Sequence, residues 1–182
     1  AFTIRVPAEG WKPEGYVAPK VKNKLVSSNH VNVSQAMKTP QFWLLFWVLC
    51  LNVTAGIGVL GQASVMIQEL FSEASVGKQA AISAGAAAGF VSLLSLFNMG
   101  GRFLWSSVSD KLGRKNTYTI FFVLGSLLYF AVPSIGESGD KALFIIGFCV
   151  IISMYGGGFA AIPAYLKDLF GTYQVGAIHG RI

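Results

Sequence analysis

Charge is what this sequence has least of. Asp, Glu, Lys and Arg together make up 12% of its 182 residues, where a soluble domain carries about 25%. With 53% hydrophobic residues and a mean hydropathy of +0.57, lipid rather than water is indicated as the main solvent. Cysteine is nearly absent: Cys50 and Cys149 lie far apart inside apolar runs, with no Cys-x-x-Cys pair. Neither metal nor redox chemistry is supported, and both read as small buried hydrophobes. No apolar run carries a set of His, Asp or Glu able to act as acid, base or metal ligand, so no enzyme, metal or cofactor is expected. His179 stands without a partner in view and reads as solvated or as part of a helix start. No basic-then-apolar leader opens the chain. It begins at Ala1 and stops at Ile182, within what reads as the start of a further helix, so a segment internal to a longer protein is expected.

What charge there is clusters, leaving long uncharged runs. Residues 39–68 contain none, nor do 79–101, a run that continues past Arg102 to 109; 116–136 and 142–166 are the other two. A helix needs about 20 apolar residues to cross the hydrocarbon layer. The expectation is an all-α membrane protein with spans near 40–68, 80–108, 116–135 and 142–166, and a further helix beginning near 175–182. Residues 1–38 differ. Pro7, Pro13, Pro19 and six basic residues, opposed only by Glu9 and Glu14, make a polar linker without an apolar face. A solvated basic segment beside a membrane explains it without nucleic acid. The chain thus divides into a basic loop, 1–38, and a transmembrane domain, 39–182.

Short breaks at 69–78, 110–115 and 137–141 force neighbouring spans to run antiparallel. Arg5, Lys12, Lys20, Lys22, Lys24 and Lys38 then share one side with Lys111, Arg114, Lys115, Lys167 and Arg181. Only Lys78 and Lys141 fall on the other. The lysine and arginine excess marks the first side, with residues 1–38, as cytoplasmic. Trp43 and Trp47 suit the interfacial aromatic belt.

Several motifs mislead. Gly56-Ile-Gly58-Val-Leu-Gly61 spells G-x-G-x-x-G, but it sits inside an uncharged span, and Glu69 comes too early for the acidic residue expected about 20 positions on. Glycines there suit close helix approach or bending. Asn52-Val-Thr54 falls within a span and Asn32-Val-Ser34 on the cytoplasmic side, so neither is a glycosylation site. Ala81, Gly85 and Gly89, with Ala84 and Ala88 alongside, form a small-residue stripe of the kind that packs helices in lipid. Gly156, Gly157 and Gly158, followed by Pro163, weaken the fourth span; a locally deformable helix and a static kink both fit.

The most informative stretch is Asn98-Met-Gly-Gly-Arg102-Phe-Leu-Trp-Ser106-Ser-Val-Ser-Asp110-Lys111-Leu-Gly113-Arg114-Lys115. Its end is a tight charged turn, in which Gly113 supplies a left-handed residue and Asp110 stands four positions before Arg114. An ordinary positive-inside loop would read the same. Arg102 is the exception inside a span. A central arginine costs about 2.5–3.5 kcal/mol on insertion scales, so it calls for a partner or a purpose. It lies roughly 12 Å along a helix from Asp110, a depth open both to a ligand-binding role and to snorkelling toward the interface.

The turn resembles the signature loop of the major facilitator superfamily, G-x-x-x-D-R/K-x-G-R-R/K, with Ser106 in place of the glycine. The later Gly157-Gly-Phe-Ala-Ala-Ile-Pro163-Ala-Tyr-Leu-Lys-Asp-Leu-Phe-Gly171 and Val175-Gly-Ala-Ile-His179-Gly-Arg181, with Gly10-Trp-Lys-Pro-Glu-Gly15, are similar to the oxalate:formate antiporter family, near the monocarboxylate transporters. That resemblance implies helices seven to ten and the start of eleven of a twelve-helix transporter, with 1–38 as its central cytoplasmic loop. It implies alternating-access transport of small organic anions such as oxalate, formate or pyruvate, in a cell membrane such as the bacterial inner membrane. The partners implied are a small carboxylate, the bilayer and the N-terminal half of the same transporter. Arg102, with Asn98 one turn away, stands where the family holds its substrate anion. The loop residues Ser106, Asp110, Lys111, Gly113, Arg114 and Lys115 would act as a conformational gate. Related carriers place an acid at the position of Asn98, so proton coupling through it is not implied. A structural or channel-type subunit is the alternative.

Overall fold

A computed structural model describes residues 31–73 and 81–182, together with Trp11 and Glu14. The rest of the basic segment, most of the Gly10 to Gly15 motif and Lys78 lie outside the described residues. Six helices occur among those described: α1 (Val33–Ala36), α2 (Pro40–Leu70), α3 (Ala84–Leu112), α4 (Arg114–Glu137), α5 (Lys141–Phe170) and α6 (Val175–His179). The protein is all-helical, and α2 to α5 are each long and apolar enough to cross a membrane.

Local chemistry sets the helix ends. Thr39 caps α2, its hydroxyl accepting from Phe42 N, and Pro40 follows at the first helical position, where a missing N–H is harmless. Ser83 caps α3 by accepting from Ala86 N, so that helix begins at Ala84 rather than near residue 80. It also runs on through Asp110 and Lys111 to Leu112. The charged break expected over 110–115 shrinks to a single residue, Gly113, whose φ of 85° lies where only glycine is at ease. Asp140 caps α5 through Leu143 N at 3.0 Å, and Gly171, φ 80°, stops it. The segment after 175 is shorter than expected, closing at His179.

α5 is the axis on which the other spans pack. Every residue from 151 to 158 is buried. Toward one end, Phe71, Phe90, Phe144 and Phe148 make edge-on and tilted ring contacts 4.8 to 6.3 Å apart. Toward the other, Leu45, Tyr118, Phe121, Leu166 and Phe170 form a second cluster. Cys149 is buried and Cys50 half-buried, both as free thiols. Trp43 and Trp47 lie exposed near the start of α2.

The small-residue stripe of α3 lies on the outer side of the described helices. Ala84, Gly85, Ala88 and Gly89 face outward, and a Cβ added at Gly89 would meet nothing within 4 Å. The inward face of that stretch is Ala87, Phe90 and Leu94. Phe90 and Leu94, with Ala87, fill the space toward the other described helices.

Candidate functional site

Asn98, Arg102, Ser106 and Asp110 recur every four residues on α3, so they follow one another in a slowly turning row. The row does not share a single environment. Asn98 is half-buried against α5: a Cβ on Gly156 would overlap its carbonyl oxygen and its Oδ1. That Oδ1 is buried with no hydrogen-bond partner. Arg102 faces outward, and its guanidinium makes no ion pair or hydrogen bond among the described residues. The two residues therefore stand one turn apart, the amide toward α5 and the guanidinium away from it.

α3 has two outward faces of unlike character. Ala88, Ser92, Ser95, Met99, Arg102 and Ser106 follow a 4,3,4,3,4 spacing and form a mixed stripe, in which three serines and Arg102 alternate with Ala88 and the exposed Met99. The serine hydroxyls at 92, 95 and 106 bond to carbonyls of their own helix, Ser106 Oγ to Arg102 O at 2.6 Å. Around the helix from them lie Leu96, Phe97, Gly100 and Leu104, which border an apolar hollow. In a bilayer the apolar face suits lipid, and the serine-bearing stripe with its arginine suits a protein or water-lined cavity.

The signature turn is a tie among three helices. Arg114, at the start of α4, bonds to Asp110 and to Ser109 at the end of α3, and its Nε donates to Asp168 Oδ2 on α5 at 3.3 Å. Ser109 Oγ passes on to Ser106 O at 3.0 Å, and Thr117 Oγ1 bonds back to Gly113 O at 3.0 Å. The side chains of Arg114 and Asp168 are 15% and 18% exposed, that of Asp110 66%; the Asp168 bond is the shielded one. Lys111 and Lys115 are exposed and outside both ion pairs. Asp168 escapes the sequence reading, because it sits beside Lys167 just past the fourth apolar run and passes for an ordinary end-of-helix charge. Its nearness to Arg114 is a product of folding.

The glycine triplet of α5 is where the other spans converge. Added side chains at Gly156, Gly157 and Gly158 would overlap Asn98, Trp105 and Asn52 in turn. Polar bonds close the same crossing: Tyr118 Oη donates to Gly158 O at 2.6 Å, Asn52 Nδ2 to Tyr155 O at 3.4 Å, and Trp105 Nε1 to Ser153 Oγ at 3.1 Å. Nearby, Gly101 abuts the Ser153 backbone and Gly56 the Tyr155 ring. The helix runs unbroken through the triplet and through Pro163, which lies on its exposed side. Close packing thus requires all three glycines.

Among the described residues no group of His, Cys, Asp or Glu is placed to hold a metal. What the arrangement offers is one unpaired guanidinium on a serine-bearing helix face, a three-helix charge tie at one end, and a tight glycine crossing between them.

The family model of the Major Facilitator Superfamily matches residues 2–181. The oxalate:formate antiporter of Oxalobacter formigenes is 32% identical over 173 residues, which is 94% of this chain and 37% of that protein. An uncharacterised MFS-type transporter of Escherichia coli (strain K12) is 26% identical over 163 residues, 90% of this chain and 38% of that one. The apicoplast pyruvate carrier 1 of Toxoplasma gondii is 28% identical over 160 residues, 84% of this chain and 27% of that carrier. The chain therefore spans between about a quarter and two fifths of the length of these curated relatives.

Proposed function

The chain belongs to the Major Facilitator Superfamily, and we propose that it supplies helices seven to ten, with the start of eleven, of a secondary transporter for small organic anions. The substrates are mono- or dicarboxylates of the size of oxalate, formate or pyruvate, moved by alternating access between this half and an N-terminal half. Transport, with no covalent step, is the activity. The cell membrane is the location, with residues 1–38 on the cytoplasmic side, where the lysine and arginine excess puts them.

The observation that carries the reading is Arg102. A guanidinium about 12 Å inside a membrane helix from Asp110, without a protein partner among the described residues, is a costly group awaiting a counter-charge. It sits on the serine-bearing stripe of α3, with Met99 alongside, rather than on the Leu96, Phe97 and Leu104 face. Its planar fork holds a carboxylate through two parallel hydrogen bonds, giving charge and orientation together. Asn98, one turn along α3, is the second contact of the proposal through its Nδ2, which can donate to an anion; its buried Oδ1 is turned toward α5 and cannot. Two relatives whose names state a cargo, an oxalate:formate antiporter and a pyruvate carrier, handle small carboxylates.

The remaining residues serve the conformational cycle. Ser106, Asp110, Lys111, Gly113, Arg114 and Lys115 form the gate, with Asp168 as its anchor on α5. Gly156, Gly157, Gly158 and Pro163 let α5 deform about its crossing as the halves rock. The test uses the full-length transporter in proteoliposomes. External unlabelled carboxylate should drive uptake or release of labelled carboxylate with saturation. Flux that neither saturates nor shows counter-transport would mark a channel, and no flux of any small carboxylate would remove the substrate class.

A further inference from the structure

α2 and α4 touch each other little; α4 leans on α5, and α2 on α3 and α5. The seam left between them is continuous. On α4 it is lined at positions 115, 119, 122, 126 and 129, a 4,3,4,3 spacing that keeps one helical stripe in view; α2 contributes its facing stripe from Gln41 to Ala55. Two hollows of about 250 and 240 Å³ follow one another along it and share Phe122. The deep end is closed, because Tyr129 Oη donates to Ala55 O at 2.9 Å and bridges the helices. The shallow end is open.

The two ends differ in chemistry. The body of the seam is apolar, with Leu44, Val48 and Phe122 along it. At its mouth stand the Lys115 ammonium, the Gln41 amide and the Tyr165 hydroxyl, none with a hydrogen bond or ion pair among the described residues. The surroundings are cationic: Lys38, Lys111 and Lys167 are also exposed there, while the acids Asp110 and Asp168 are both taken by Arg114. Neither α2 nor α4 carries an acidic residue in its first turn. From Lys115 to Tyr129 the stripe covers 14 residues, roughly 21 Å, enough for one leaflet of a hydrocarbon core about 30 Å thick.

A groove that is cationic and hydrogen-bonding at the membrane surface, apolar below, one leaflet deep and closed at the bottom matches one class of molecule. We propose that the α2–α4 seam binds an anionic phospholipid of the leaflet on the Lys115 side. The phosphate lies against Lys115, Gln41 and Tyr165, and an acyl chain runs past Val48 and Phe122 to the Tyr129 bridge. Such a site is separate from Arg102, which lies on α3, and it stands whether or not the carboxylate reading holds.

The experiment uses the full-length protein in detergent, with lipids of identical acyl chains added and binding followed by native mass spectrometry and melting temperature. Phosphatidylglycerol should be retained and should stabilise more than phosphatidylcholine. Lys115→Gln should weaken phosphatidylglycerol about fivefold while leaving phosphatidylcholine unchanged. Ser126→Trp, which fills the seam below the head group, should weaken both lipids, and glycerol 3-phosphate should fail to compete. Equal retention of the two lipids, or an unchanged Lys115→Gln protein, would overturn the proposal. So would competition by glycerol 3-phosphate, which would mean a free-phosphate site. A cysteine at Ser126 that cross-links to another transmembrane segment would place a helix in the seam and overturn it equally.

Discussion

Asp168, near the end of α5, accepts a hydrogen bond from Arg114 Nε at 3.3 Å across 54 residues of chain. Through that one guanidinium, with Asp110 on its other side, the ends of α3 and α5 and the start of α4 move as one body. A change that frees any of the three helices must first break this tie.

The two carboxylates should not be equivalent. Asp168→Asn leaves a part-buried guanidinium without its shielded partner and should lower stability by about 1–3 kcal/mol. Asp110 is largely exposed, so Asp110→Asn should change stability by less than about 1 kcal/mol. Both should slow exchange while substrate still binds. Melting curves and exchange rates of the purified full-length variants check this; equal melting losses would refute the ranking, and unchanged exchange would reduce the turn to a topology signal.

Arg102 separates a ligand site from a snorkelling side chain. Arg102→Ala should weaken carboxylate binding by one to two orders of magnitude, the worth of a charge-assisted contact of about 1.5–3 kcal/mol. Arg102→Lys should recover only part, because an ammonium keeps the charge and loses the planar two-point contact. A snorkelling residue predicts full replacement by lysine and a harmless alanine. Binding isotherms on folded full-length protein decide between them, and wild-type affinity in both variants ends the case for Arg102.

The glycine crossing makes a packing prediction. Gly101→Ala and Gly156→Ala place a methyl against backbone atoms of Ser153 and Asn98, and overpacking of this kind costs about 1–3 kcal/mol. Gly89→Ala has open space around it and should be neutral, or stabilising by up to about 1 kcal/mol through helix propensity. Thermal denaturation of the three variants tests the contrast. A loss at Gly89 as large as at Gly156 would mean that the outward stripe of α3 packs on another helix in the whole transporter.

Orientation is tested by accessibility. A cysteine in place of Ser138, in the turn between α4 and α5, should react with an impermeant reagent added outside intact cells. One in place of Asn116, at the opposite end of α4, should not. The reverse labelling pattern would invert the topology and the helix numbering with it.

Residue order alone determined that this chain lives in lipid, that four long helices are able to span it and that its basic residues gather at one end. The reason is that hydrocarbon imposes its demands locally: about 20 apolar residues per crossing, backbone groups bonded within each helix, and positive charge kept to one side. Each can be read without knowing which helix touches which. The signature turn and Arg102 stand out for the same reason, since charge inside or between such spans is conspicuous. Tertiary structure decided the partnerships. A span that is apolar all round has no sequence-visible inner face, so the sequence does not reveal that α3 meets the other described helices through Ala87, Phe90 and Leu94 rather than through Ala84, Ala88 and Gly89. Nor does periodicity reveal that Gly156 meets Asn98, that Gly158 accepts from Tyr118, or that Asp168 reaches Arg114. These contacts join residues 40 to 58 positions apart, and only the docking of α3 and α4 onto α5 brings them within bonding distance.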